Sequence, residues 1–253
     1  MRIAYFDCFA GISGDMCLGA LVAAGADFET LKKELLKLPV TGYRLFYEKK
    51  KLDGVAAVDF LVDMGPEKQP ARSLPEIERI IGGSALPEEV KAKSKAVFKR
   101  LAEAEAAVHG VTPEKVHFHE VGAVDAIIDI VGTVLCLHLL GIETVYASPL
   151  PLGRGFVPCA HGVLPLPAPA TLELLKGVPV YGVNTEGELV TPTGAALITT
   201  LAGAFSSLPE ILVERIGHGA GKNSPERPNL LRVFIGRLQT SQGTVLCHTP
   251  DYC

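Results

Sequence analysis

A mixed α/β fold is predicted by three features of the sequence. RIAYFD, the glycine-bearing turn CFAGISGD and the apolar DMCLGALVAAG follow one another as strand, loop and helix. LPEEVKAKSKAVFKRLAEAEAAVHG and the oily stretch after Gly122 carry helical spacing. ILVERIGHGAGK and NLLRVFIGRL read as a closing strand pair. The expected architecture is a mixed sheet with packed helices. A small N-terminal βαββ layer should span residues 1–64, a larger helical and α/β part residues 74–238, and a disordered tail residues 239–253.

Each element follows from its neighbours. The first helix should end at Gly25, where a left-handed cap is available. YRLFYEKKKLDGVAAVDFLVDM reads as two strands around a polar KKKLDG turn. Pro66 to Pro75 is proline-rich and polar, hence loop or linker. A long helix begins near Pro87 with acidic residues in its first turn, and another runs from Gly122 to Gly141. TVYASPLPLG starts as a strand. The Pro- and Gly-rich Leu150 to Ala170 reads as a long irregular loop, a kind that is usually functional. PATLELLKG and TPTGAALITTLAGAF read as two further helices, and no internal repeat is visible.

Composition narrows the function. A hydrophobic fraction of 48% and a charged fraction of 21% fit a globular chain of 253 residues with a sizeable core. The formal charge of -4 and the absence of Trp argue against a nucleic-acid partner. Asp7 interrupts the first apolar run, so no signal-peptide core forms, and the oily run Ile130 to Ile142 is too short to span a bilayer. The expectation is a cytoplasmic protein with no membrane partner. The six cysteines form no CxxC pair, which speaks against a disulfide framework or a zinc knot.

The densest chemistry lies in HFHEVGAVDAIIDIVG, residues 117–132. In an extended VHFHE, His117 and His119 share one face and Phe118 takes the other. Asp125 and Asp129, four apart on the following helix, share a face where like charges repel. In so apolar a helix they call for a cation: a metal ion, an arginine or the histidines. Five clustered ionisable groups favour a metal or catalytic site over a solvated helix end. His138, half a turn out of phase, is read as structural.

The remaining signals are loops. Asp7 and Asp15 bracket a turn whose Gly11, Ser13 and Gly14 suit a ligand held at a helix N-terminus, although Asp15 also suits a plain N-cap. GHGAGKNSPER fails as a Walker A loop: Ile216 stands where the first Gly is needed and Asn223 where Ser or Thr is needed. Thr191 and Thr193 open a helix beside Gly194, as a phosphate cradle or a cap. Arg154, Cys159 and His161 share the long loop, where Cys and His suit nickel or zinc and the prolines alone would suit a stiff loop.

Four stretches together resemble the nickel-insertion protein family of lactate racemase maturation, the LarC family: YFDCFAGISGDMCLGAL, HFHEVGAVDAIIDIVG, PLPLGRGFVPCAHGVLPLPAPATLELLKGVPV and GELVTPTGAAL. They spread over residues 5 to 197. The resemblance implies a lyase-type nickel chelatase. It would insert Ni2+ into pyridinium-3,5-bisthiocarboxylic acid mononucleotide, forming one nickel–carbon and two nickel–sulfur bonds. CTP is consumed with Mg2+ or Mn2+, and the cofactor's eventual recipient is the lactate racemase apoenzyme.

On that reading His117, His119, Asp125, Asp129 and His161 are the candidate nickel ligands. Glu120 and Asp125 are the candidate acceptors for the displaced ring proton. Asp7, Gly11, Ser13, Gly14, Asp15, Arg154, Thr191 and Thr193 would hold the mononucleotide. The resemblance fades after FIGRL, so the family's C-terminal CTP-binding domain is expected to be a separate partner, and a homo-oligomer is expected. Two other readings stand beside it: a nickel carrier or assembly module without catalysis of its own, and a metal-dependent phosphohydrolase.

Overall fold

The protein, as a computed structural model, is described over residues 1–65, 71–118, 124–159, 162–222 and 229–239, without the side chains of His117 and Cys159. The chain opens with β1 (Arg2–Asp7), α1 (Gly14–Ala23), α2 (Phe28–Leu35), β2 (Arg44–Leu52) and β3 (Val55–Asp63). The middle holds β4 (Arg72–Ser73), α3 (Leu74–Gly82), α4 (Glu88–His109), β5 (His117–Phe118), α5 (Val124–Leu139) and β6 (Thr144–Ala147). Next come β7 (Leu150–Arg154), β8 (Phe156–Cys159), β9 (Gly162–Pro165), α6 (Pro169–Leu174) and β10 (Val180–Glu186). The last elements are α7 (Pro192–Leu201), β11 (Ala202–Phe205), β12 (Ile211–Ala220) and β13 (Leu230–Leu238).

A seven-stranded mixed sheet with the order β11-β6-β1-β13-β12-β3-β2 organises these elements. β1 runs parallel to β6 and antiparallel to β13. The strands of the first 64 residues therefore enter the same sheet as the last ones. β2 and β3 form the expected antiparallel pair at one edge, and β12 and β13 form the expected closing pair.

The alternating pattern of β1 sends Ala4 and Phe6 into the main core, where α1 covers the sheet and α5 packs on α1. α1 is apolar on every side because it is sandwiched: Leu18, Ala20 and Leu21 are all fully buried. Its approach to β12 and β3 is unusually close. A Cβ at Gly217 would lie 2.0 Å from Ala20 O, one at Gly219 2.0 Å from Met16 O, and one at Gly19 2.3 Å from Val58 O. α5 is just as enclosed, with Ile127, Ile128, Ile130 and Val131 fully buried, and Gly132 makes room for Leu18.

Several elements differ from the sequence reading: the helix read through TPTGAALITTLAGAF stops at Leu201, and Ala202–Phe205 is the edge strand β11. α2 follows α1 before the hairpin, and α3 begins at Leu74, inside the stretch read as linker. Leu150 to Ala170 is not one irregular loop: it contains β7, which pairs with β10, the antiparallel β8–β9 ribbon and the start of α6. Pro158 and Pro165 are tolerated there because a two-stranded ribbon leaves N–H positions outside the ladder.

α2 is short, and Asp27 starts it: its carboxylate accepts from Thr30 N at 2.8 Å. Asp27→Ala is expected to lower stability, read as a lower urea midpoint at unchanged slope. Among the described residues no helix is long and apolar enough to cross a membrane. Cys8, Cys17 and Cys136 are buried free thiols, and burial pushes all three up from the ordinary thiol range.

Candidate functional site

The loop that leaves β1 is clamped by a segment from far along the chain. Ile12 N donates to Leu189 O at 2.8 Å and Thr191 N donates to Ile12 O at 3.1 Å, a one-residue parallel bridge of Ile12 with Val190. Gly11 has φ +113°, and a Cβ there would lie 2.0 Å from Leu189 O, so only glycine lets the strands cross. Gly194, in the first turn of α7, presses on the same loop: its Cβ would lie 2.3 Å from Ile12 O. Thr191 caps α7, accepting from Gly194 N at 3.1 Å. The N-termini of α1 and α7 are thereby held side by side.

Beside them opens a cavity of about 290 Å³. Ser13, Gly14 and Asp15 line it from α1, Asp129 from α5, and Thr191 and Thr193 from α7. Glu188, Lys222 and Asn229 complete the polar lining. Two helix N-termini offer backbone donors and a favourable field for an anion. Three carboxylates in the same space, Asp15, Asp129 and Glu188, favour a cation. The cavity suits a ligand that carries both, a phosphate and a metal.

Asp15 is firmly held. Its Oδ1 accepts from Ser13 Oγ and from Met16 N at 2.9 Å, and its Oδ2 lies 3.0 Å from Lys222 Nζ. Asp129 is held by shape: a Cβ at Gly14 would lie 2.5 Å from its Oδ2. As a residue Asp129 keeps some accessible surface, yet its Oδ1 is sealed from solvent and has no hydrogen-bond partner among the described residues. Burial, with the charges of Asp15 and Asp125, pushes its carboxyl well above the usual carboxylate range, against the pull of Lys222. Burial works against the Lys222 ammonium, but Asp15, Asp129 and Asp59 together hold its pKa above the ordinary lysine value.

The structure thus brings together Ser13, Gly14, Asp15, Asp129, Thr191 and Thr193, which the sequence pointed to separately. It places others elsewhere. Gly11 meets the backbone of Leu189 and is absent from the lining. Asp7 is engaged by Arg232, whose Nε and Nη2 lie 3.0 and 2.5 Å from Oδ2. Arg232 in turn stacks over Phe9 and Phe234. Asp125 is exposed at the start of α5, accepting from Ala126 N at 2.9 Å. Arg154 is exposed at the end of β7. His138 lies 3.6 Å from Glu89, in the last turn of α5.

His119, Glu120 and His161 fall outside the described residues, as does the side chain of His117. The strand expected around VHFHE is present as β5, and Phe118 is buried. Among the described residues no three His, Cys, Asp or Glu groups converge well enough to hold a metal ion.

Lys222, like Glu188 and Asn229, lines the cavity and was missed by motif reading. GHGAGK invited comparison with a phosphate loop and failed it. The informative signal was the alternation of Gly217 and Gly219 on one strand face, which marks a close backbone approach. That approach carries the end of β12 to the N-terminus of α1.

Comparison with known proteins agrees with the motifs. A family model described as nickel insertion protein matches residues 4–249, past the end of β13. The pyridinium-3,5-bisthiocarboxylic acid mononucleotide nickel insertion protein of Desulfitobacterium hafniense (strain DSM 10664 / DCB-2) is 53% identical over 238 residues, covering 94% of this chain and 59% of its own. Its counterpart in strain Y51 is also 53% identical over 238 residues, with the same coverage. A relative in Syntrophobacter fumaroxidans is 54% identical over 237 residues, 93% of this chain and 61% of its own. The chain therefore spans about three fifths of the length of these relatives. No solved structure matches it. With the family model matching from residue 4 to residue 249, the chain belongs to the nickel insertion protein family.

Proposed function

We propose that this chain takes part in inserting nickel into pyridinium-3,5-bisthiocarboxylic acid mononucleotide, with the cavity beside the N-termini of α1 and α7 as its working site. One observation supports this above others. In a chain of this family, residues as far apart as Ser13, Asp129 and Thr193 line one small space with both anion- and cation-attracting groups.

The roles follow from chemistry. The mononucleotide phosphate sits against the backbone donors of α1 and α7, with the hydroxyls of Ser13, Thr191 and Thr193. Nickel, a substrate here, is taken by Asp129 with imidazoles from His117, His119 or His161. Nitrogen and oxygen donors bind Ni2+ without the grip of a thiolate cage. Glu120 accepts the ring proton that leaves when carbon bonds nickel. Nickel–carbon bond formation, classed as a lyase reaction, draws on CTP with Mg2+ or Mn2+ held by a C-terminal partner part. The product then passes to lactate racemase apoenzyme in the cytoplasm, from a homo-oligomeric assembly. A phosphohydrolase or a passive carrier would not need the family's full set of motifs.

The test is reconstitution. The purified chain is expected to bind nickel without consuming CTP, and to form the nickel-pincer product when the relatives' C-terminal part is added. Repeated CTP turnover by the chain alone would overturn that division of labour. Gly14→Ala supplies a finer check. Its methyl would displace the Asp129 carboxylate, so it should lower stability by about 1–3 kcal/mol and weaken nickel binding at the same time. Calorimetric titration beside urea unfolding would show both losses, and unweakened nickel binding would remove Asp129 from the site.

A further inference from the structure

Lys222 and Asp15 are held very unequally. The Asp15 side chain is 14% exposed and fixed from behind by Ser13 Oγ and Met16 N, whereas the Lys222 side chain is 65% exposed. Their 3.0 Å contact is therefore a loose tether at one end of a rigid acceptor. Behind it, Asp129 Oδ1 is buried without a hydrogen-bond partner among the described residues, an acceptor still waiting for a positive group. A third acid, the buried Asp59 on β3, also acts on Lys222, but its Oδ2 is already taken by Lys50. Beside Glu188, the cavity thus holds one carboxylate covered by an exposed ammonium and a second whose Oδ1 lacks a hydrogen-bond partner among the described residues. An ion pair of this exposure shifts an equilibrium by only about two- to fivefold, so a divalent ion can displace it.

We infer that Lys222 is a built-in occupant of the cation position beside Asp15 and Asp129, displaced when a divalent metal binds and then free to pair with the phosphate of a mononucleotide at the N-termini of α1 and α7. The inference rests on the reading of this cavity as the nickel and mononucleotide site. It makes the two ligands cooperative through one side chain. Nickel frees the ammonium for the phosphate, and a phosphate that captures the ammonium uncovers Asp15 for nickel. The coupling is reciprocal, as linkage requires.

Calorimetric titration of nickel(II) chloride into the full chain tests this, with and without nicotinic acid mononucleotide as a pyridinium nucleotide probe. In the wild type the nucleotide is expected to tighten nickel binding. Lys222→Gln should bind nickel about two- to fivefold more tightly without nucleotide, and the nucleotide should no longer tighten it. Lys222→Arg keeps the charge and should behave as the wild type. Asp129→Asn should weaken nickel binding in every background. If Asp129→Asn weakens binding while Lys222→Gln leaves both affinity and coupling unchanged, the displaced-lysine idea is overturned and the site reading survives. If Asp129→Asn has no effect on nickel, the site reading falls and the role of Lys222 falls with it.

Discussion

Gly219→Val is expected to leave little folded protein at room temperature. The added Cβ would lie 2.0 Å from Met16 O and 2.7 Å from Ala20 N, both main-chain atoms of α1 that cannot rotate aside. Relief requires α1 to lift from β12, which opens the layer between the sheet and α5. Overpacking of side chains typically costs about 1–3 kcal/mol, and a clash between two backbones lies at or beyond that range. A net stability of about 5–15 kcal/mol leaves little reserve for it. Urea unfolding followed by circular dichroism would measure the loss. Gly219→Ala should already be strongly destabilised, whereas Gly182→Ala, with open space around its Cβ, should stay within about 0.5 kcal/mol of wild type. An unperturbed Gly219→Ala would mean that α1 does not rest on β12.

Asp129→Asn should produce opposite effects on stability and function. The charge of Asp129 is disfavoured by burial, by Asp15 and by Asp125, and its Oδ1 lacks a partner among the described residues. Removing the charge is expected to stabilise the metal-free protein by about 1–3 kcal/mol at neutral pH. Nickel insertion in the reconstituted system should fall about a hundredfold or more, the scale for losing a group that acts directly at a reacting centre. The gain should depend on pH in a defined direction. Because the folded-state pKa is raised, the wild type binds the proton more tightly folded than unfolded, and it loses stability as pH climbs from about 4 towards that raised value. The advantage of the Asn variant should widen over the same window and level off above it. Equal midpoints at every pH, or full activity, would contradict the assignment.

Much of this molecule could be read before its shape was known. The strand, glycine loop and helix at the start, the enclosed α5 and the β12–β13 pair all follow from local apolar spacing. The acids of the cavity also stood out, but their division did not. Asp125 and Asp129 are four apart and share a helix face, yet one is exposed and the other sealed. The first turn of α5 buries Val124 but turns Asp125 outward, and one turn later packing closes over Asp129 Oδ1. α3 carried its own signal in Ser73-Leu74-Pro75-Glu76, a capping box obscured by the surrounding prolines. The β8–β9 ribbon was hidden because proline and glycine content marks loops more strongly than it marks ribbon edges. Lys222 was out of reach for a different reason. Its position comes from the pairing of β12 with β13 and from glycine contacts with α1, both set by partners distant in sequence.

The placement of β13 has a consequence for how the protein comes into being. Arg2 pairs with Arg237, so the strand beside β1 at the heart of the sheet is synthesised after every other strand of that sheet. Until it arrives, β1 has only its β6 side filled and β12 lacks its antiparallel neighbour. A nascent chain can form its helices and the β2–β3 hairpin early, but it cannot close the sheet that carries Lys222 to Asp15. Topologies dominated by such distant pairings fold slowly and expose unpaired strand edges while they wait. Until that pairing forms, the cavity lacks the Lys222 and Asn229 part of its lining.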